Sequence, residues 1–285
     1  RFDRCSQALC AEAGEVHVTG CEIRGAAGVG AYFFGTVRVE MEDCTFERNT
    51  LHGLLATGQA SLDLAGNTLR ENGGCGLALR ESSSGVLRGN TCSGHPAQLG
   101  ILIDGEASWE VVGNTCTGNV HGIQVGGSAT VELVDNVCER NTGEGVWVGE
   151  QAHGSARGNT ASHNAGSGFT VNNGASLSLE GNTADDNGAH GIAFLGDAKG
   201  AARGNHCHGN GEEAIRTSGD DRPMPPGSPE PEPAPPEADA DALMVRAQRV
   251  FAAHRPGYLA TLRPGVDEAA LDAARTRVGG ELPPE

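Results

Sequence analysis

Hydrophobic and polar positions alternate in short runs, and the runs recur along most of the chain. Taking the unit Asn114-Thr-Cys-Thr-Gly-Asn119, His121-Gly-Ile-Gln-Val125 and Val131-Glu-Leu-Val-Asp-Asn136 as reference, equivalent anchors fall at Cys21, Cys44, Asn67, Asn90, Asn114, Asn136, Asn159, Asn182 and Asn205. They are 23, 23, 23, 24, 22, 23, 23 and 23 residues apart. A period of this length means stacked supersecondary units, each burying its apolar face against its neighbours.

Within each unit the apolar positions have period two, the signature of half-buried strands. Two residues after the anchor come Ile23, Phe46, Leu69, Cys92, Cys116, Cys138, Ala161, Ala184 and Cys207. Later comes a second strand, with Ala31, Leu54, Leu77, Ile101, Ile123, Val146, Phe169, Ile192 and Ile215 in one inward row. The other inward row of that strand runs from Phe33 through Ile103 and Val125 to Phe194. A third strand carries pairs such as Val39/Met41, Leu62/Leu64, Val131/Leu133 and Leu177/Leu179. Three short strands per unit, each stacking on its equivalent one unit later, predict an all-β chain, a single-stranded parallel β-helix of about nine rungs. Crossovers between parallel strands are right-handed by strong rule, and left-handed β-helices run on hexapeptide units that this spacing does not fit. A right-handed coil follows.

Two columns of asparagine check the alignment. One is Asn67 to Asn205 at the anchor; the other, five residues later, is Asn49, Asn72, Asn119, Asn141, Asn164, Asn187 and Asn210. A buried amide left unpaired costs about 1–3 kcal/mol, so such columns are predicted to be hydrogen-bonded ladders. The glycine before each second strand (Gly53, Gly76, Gly100, Gly122, Gly145, Gly168, Gly191) is expected to supply positive φ. One rung is irregular: the unit from Asn90 to Asn114 has an extra residue, His95 replaces a column asparagine, and Pro96 follows. Trp109 aligns with Leu62 and Gly85, so it is expected to point inward above the space that Gly85 leaves.

Composition divides the chain. Residues 1–219 contain one proline, whereas 223–236 contain eight. The expected organisation is a β-helix over 1–219, an extended and disordered Pro/Glu-rich linker over 220–241, and a short helical tail over 242–285. The net charge is −17, of which −12 lies in 1–219. Such a surface speaks against nucleic acid or an anionic membrane as partner, and it opposes binding of a polyuronate. No apolar run reaches membrane-spanning length. The nine cysteines are odd in number and largely inward, which suits free thiols in a reducing, cytoplasmic setting. No pattern of ligands for a metal or cofactor is seen.

Chemistry is harder to find. The outward row of the second strand reads Tyr32, Leu55, Ala78, Leu102, Gln124, Trp147, Thr170, Ala193 and Arg216, without a carboxylate. Its flanking row offers Arg80, Asp104 and Asn172, each alone in its rung neighbourhood, so paired catalytic acids are not expected and no catalytic residue is assigned. His52, His121 and His190 lie three rungs apart, too far to share a metal, and are expected to serve turns. Glu139, Arg140 and Glu144 are expected to form a surface ion pair. What remains is an outward apolar stripe, Tyr32 to Leu102, leading to Gln124 and Trp147. Such a stripe marks a contact surface for a protein, a second copy of the chain or, through Trp147, a sugar ring. The candidate binding residues are Tyr32, Leu102, Asp104, Gln124, Trp147 and Asn172.

The turns such as Asn114 to Asn119 followed by His121 to Val125 resemble the right-handed β-helix repeat proteins. That group includes pectate-lyase-like enzymes, carbohydrate-binding and sugar-hydrolase repeats, a copper-protein maturation factor and F-box adaptors. The resemblance implies the fold; catalytic residues do not travel with those motifs. Residues Leu262 to Glu285 resemble the opening of a SUKH (Smi1/Knr4-type) domain, a group that in bacteria includes toxin-immunity proteins, and the likeness implies a domain cut short. The reading reached is a non-enzymatic recognition scaffold for a protein or glycan, tethered to a SUKH-like segment. The alternative is a polysaccharide lyase, epimerase or hydrolase; copper-linked maturation, lacking a His/Met cluster, comes last.

Overall fold

The computed structural model describes residues 2–3 and 8–217. The expected linker and helical tail over 220–285 lie outside the described residues. The described chain is all β-strand and turn, wound into three parallel sheets of eight, ten and nine strands. Each strand pairs with its equivalent about 23 residues away; Thr68, Leu69 and Arg70, for instance, lie beside Thr91, Cys92 and Ser93. In the second sheet Ile123, Gln124 and Val125 lie beside Val146, Trp147 and Val148. In the third, Trp109 lies between Gly85 and Val131.

The three inward rows meet in one continuous core. Ile23, Phe46, Leu69, Cys92, Cys116 and Cys138 from the first sheet are fully buried, with Leu77, Ile101, Ile123 and Phe169 from the second and Leu64, Val111 and Leu133 from the third. Trp109 points inward as expected, and Gly85 beneath it approaches the carbonyl of Leu62 so closely that no Cβ would fit. The described cysteines carry free thiols, and Cys92, Cys116 and Cys138 stack in one file inside. Burial raises the pKa of Cys75 to about 11, which leaves that thiol protonated and unreactive at neutral pH.

The asparagine columns are ladders. Oδ1 of Asn136 accepts both the backbone N–H (2.9 Å) and the side-chain amide (3.0 Å) of Asn114. Asn136 in turn donates to Oδ1 of Asn159 and to the Val111 carbonyl. The second column repeats this pattern, with Asn119 donating to Asn141 and Asn141 to Asn164. His95 fills the missing place in that column. Its Nδ1 lies 2.8 Å from Oδ1 of Asn119, and its Nε2 lies 3.3 Å from the Asn72 amide nitrogen. The Asn119 oxygen can only accept and the Asn72 amide can donate, so the neutral ring with its proton on Nδ1 satisfies both neighbours. Burial pushes its pKa down, against the opposing effect of the Asn119 bond.

One expectation needs correction. The glycine before each second strand does not adopt positive φ. A Cβ on Gly122 would stand 2.5 Å from the Gly145 carbonyl and 2.8 Å from Cβ of Cys138; Gly53, Gly76, Gly100, Gly168 and Gly191 meet a neighbouring rung's carbonyl in the same way. Close approach between rungs, not backbone handedness, demands glycine there.

Candidate functional site

The outward row of the second sheet divides into two zones. In the first, Leu55, Ala78 and Leu102 are buried although they face away from the main core. They form a small second cluster with Val29 and Cys75, packed by Tyr32, Leu51 and Leu99. Turn residues before each strand therefore lean over the stripe and cover it. Tyr32 stacks on Phe34 at 4.8 Å, and its hydroxyl lies 3.3 Å from Oγ1 of Thr57. The stripe expected from the sequence is thus, at Leu55 and Leu102, a packed satellite with 6% and 9% exposure.

The second zone begins where the apolar row ends. Gln124 and Trp147 are half-buried and neighbours across the ladder, followed by Thr170. The flanking row one step beyond the strands reads Arg80, Asp104, Gly126, Gly149, Asn172 on successive rungs. Two consecutive glycines leave a gap in a row of side chains. Over Gly149 the gap is taken by the indole of Trp147: a Cβ there would collide with Cη2, Cζ2 and Cζ3 of the ring. The tryptophan therefore lies along the strand, ring edge over bare backbone, instead of standing out from the sheet. Over Gly126 the gap is bordered by acids. A Cβ at Gly126 would lie 3.3 Å from Oδ1 of Asp104 and 3.8 Å from the Glu150 carboxylate.

Each acid is held by its own loop. Asp104 Oδ1 accepts the Gly105 N–H at 2.8 Å, and Glu150 Oε2 accepts the Gly127 N–H at 2.7 Å. Arg80 reaches Asp104 at 4.0 Å. At the far end Asn172 Oδ1 accepts the Asn173 N–H. The arrangement is a shallow trough edged by the two acids over Gly126 and floored by the indole over Gly149.

Of the six predicted binding residues, the structure brings Asp104, Gln124, Trp147 and Asn172 onto this trough. Leu102 lies in the buried satellite and Tyr32 stands at its other end. The expectation that no carboxylate pair faces the second sheet fails at Gly126, where Asp104 and Glu150 converge. Glu150 was missed because it follows the strand of Trp147, two rungs from Asp104, and only its long side chain closes the distance. The signal present in the sequence was Gly126 and Gly149 breaking the Arg80–Asp104–Asn172 row.

The histidines serve turns. Nδ1 of His52 and of His190 accepts the backbone N–H of Cys75 and Glu213, one rung on, and Nδ1 of His121 faces Glu144 on the next rung, 3.0 Å from its backbone nitrogen and 2.8 Å from its carboxylate. Arg140 pairs with Glu139 at 2.9 Å, while Glu144 pairs with His121 at 2.8 Å. Among the described residues no group of three or more His, Cys, Asp or Glu side chains is placed to hold a metal ion, and no helix is long and apolar enough to cross a membrane.

Two solved structures are similar to this chain. A pectate lyase, Pel9A, shares 15% identity with a TM-score of 0.49, over 62% of this chain and 56% of the lyase. The A-module of the Azotobacter vinelandii mannuronan C-5 epimerase AlgE4 shares 13% identity with a TM-score of 0.44, over 76% of this chain and 79% of the module. The chain thus spans little more than half the length of the lyase. No curated protein matches it. The family model described as "Right handed beta helix region" matches residues 7–153 and 99–222, together nearly all of the described rungs. Parallel three-sheet winding, asparagine ladders and this match lead to one conclusion: the chain belongs to the right-handed β-helix family.

Proposed function

We propose that the second sheet's outward face, between Asp104 and Asn172, binds an extended carbohydrate chain, making the protein a glycan-recognition scaffold. The observation that carries this reading is the half-buried indole of Trp147 lying across Gly149, with Gln124 and Asn172 as hydrogen-bonding neighbours. An aromatic face stacks on the apolar face of a pyranose, and amide side chains on either side pair with its hydroxyls. Rungs repeat at about 4.8 Å, close to the length of one sugar unit, so a chain lying along the rod meets a fresh set of side chains at each residue. Residues 220–285 then serve as linker and SUKH-like attachment, in a cytoplasmic protein. Titration of oligosaccharides followed by tryptophan fluorescence tests the reading, because Trp109 is buried and Trp147 reports the face. Trp147→Ala should weaken binding about tenfold or more; unchanged affinity would remove the reading.

A second reading, a polysaccharide-active enzyme, is favoured by one observation: Asp104 and Glu150 border the same space over Gly126. Hydrolysis, elimination and epimerisation of sugars all use carboxylates as acid and base about a bound ring. Turnover that falls at least a hundredfold in both Asp104→Asn and Glu150→Gln would establish it, and binding without turnover would leave the scaffold reading standing.

A further inference from the structure

Resting on the carbohydrate reading of this face, we infer that the glycan it takes is an amino sugar polymer carrying free ammonium groups, with one ammonium seated over Gly126 between Asp104 and Glu150. Three features lead there. First, the two carboxylates flank the bare backbone of Gly126, where a Cβ would lie 3.3 Å from Oδ1 of Asp104 and 3.8 Å from Glu150. Each acid spends one lone pair on a loop N–H, from Gly105 or Gly127, and keeps its remaining acceptors for a ligand. An ammonium has three donors and no acceptor, which matches an all-acceptor rim; a sugar carboxylate placed there would meet two like charges.

Second, the charges around the trough sum to negative. Among the described residues, the ion pair that reaches these acids is that of Arg80 with Asp104, at 4.0 Å. The whole chain carries 37 acidic against 20 basic residues, so the wider field also attracts a polycation and repels a polyuronate. Third, the acid rim and the aromatic floor sit on adjacent rungs, Gly126 beside Gly149. One sugar can stack on Trp147 while its neighbour presents an amine over Gly126, at the spacing of consecutive residues in a β-linked chain. Neither feature alone specifies a ligand. Together they fix both the ring and the charge.

The test compares three probes on the full chain by calorimetry: glucosamine oligomers with free amines, the same oligomers N-acetylated, and oligogalacturonate. The expected order is free amine strongest, N-acetylated weaker by about tenfold, and galacturonate undetectable. Raising salt from low to high ionic strength should weaken only the free-amine probe, since screening acts on the charge pair and not on stacking. Asp104→Asn and Glu150→Gln should each remove that preference; Glu110→Gln on the third sheet, remote from the trough, is the control. Equal or tighter binding of the acetylated or the uronate probe overturns the inference but keeps the carbohydrate face. Binding of none of the three overturns both, and loss of preference in Glu110→Gln as well would assign it to overall charge instead of this site.

Discussion

The file from Asn67 to Asn205 and the file from Tyr32 to Arg216 each place one residue per rung on the same ladder spacing. In the first, every member is asparagine and each is hydrogen-bonded to the next. In the second, the kind of contact changes along the file: leucine and alanine are packed under turns, glutamine and tryptophan lie half-open, and threonine is buried. Burial without water forces the first file to be uniform, because one missing amide orphans donors above and acceptors below. The second file faces outward, so its side chains are free of that constraint and can follow a ligand. Variants of the two files should therefore fail in opposite ways.

The sharpest test is Asn136→Ala. It deprives Asn114 of the acceptor for two donors and leaves the Val111 carbonyl without its 2.7 Å bond. At about 1–3 kcal/mol per stranded group, and with sub-additive coupling, a loss of about 3–5 kcal/mol in denaturant unfolding is expected. Glycan affinity of the folded fraction should not change. A loss under about 1 kcal/mol would mean that water replaces the ladder.

Gly122 separates two explanations of one residue type. Its Cβ would collide with the Gly145 carbonyl and Cys138, so Gly122→Ala should cost about 1–3 kcal/mol. A residue needed for positive φ would be partly rescued by asparagine. Here Gly122→Asn should be worse than alanine, and rescue would refute the steric account.

Gly149→Ala reverses the pattern. The added methyl displaces the Trp147 ring, which lies at the surface of the sheet. Thermal stability should shift by less than about 1 kcal/mol, within the range of surface substitutions, while carbohydrate affinity drops about tenfold. A stability loss with intact affinity would place Trp147 among the structural residues.

The smallest effect is in pH. Burial lowers the His95 pKa below its ordinary 6.5 in the folded state. Between the unfolded and the folded pKa the unfolded chain binds more protons, so stability is full above about pH 6.5 and falls as pH drops below it, levelling at the folded pKa. Each unit of depression corresponds to about 1.4 kcal/mol. His190, also lowered by burial with Glu212 opposing, has the same sign. Restoring the column with His95→Asn should remove only the His95 share, read from unfolding curves at pH 5 and pH 8; identical slopes in both proteins would show that the ring is not held neutral.

The fold was legible because its determinants recur. Any one strand, such as Ile123-Gln-Val125, is too short to identify, but nine aligned copies average away its ambiguity. The face was legible only in part for the same reason. Trp147 and Asp104 stood out as departures from their rows, whereas Glu150 occupies an ordinary turn position and acquires meaning from a glycine two dozen residues earlier. Gly122 and its equivalents show the converse limit. Repetition announces that a residue type is required, while the requirement itself, here clearance beneath a carbonyl, resides in the adjacent coil.

The ladders also have a direction. From Asn67 to Asn182 each amide gives a proton to Oδ1 of the next asparagine toward the C-terminal side and also donates back to a carbonyl of the preceding coil, as Asn205 does to Leu179. A cut between any two coils would therefore expose the same complementary set of donors and acceptors wherever it fell. Duplicating or deleting a whole unit rejoins those faces without remainder, so tandem copying can lengthen such a rod one module at a time, carrying its outward residues along as interchangeable cargo.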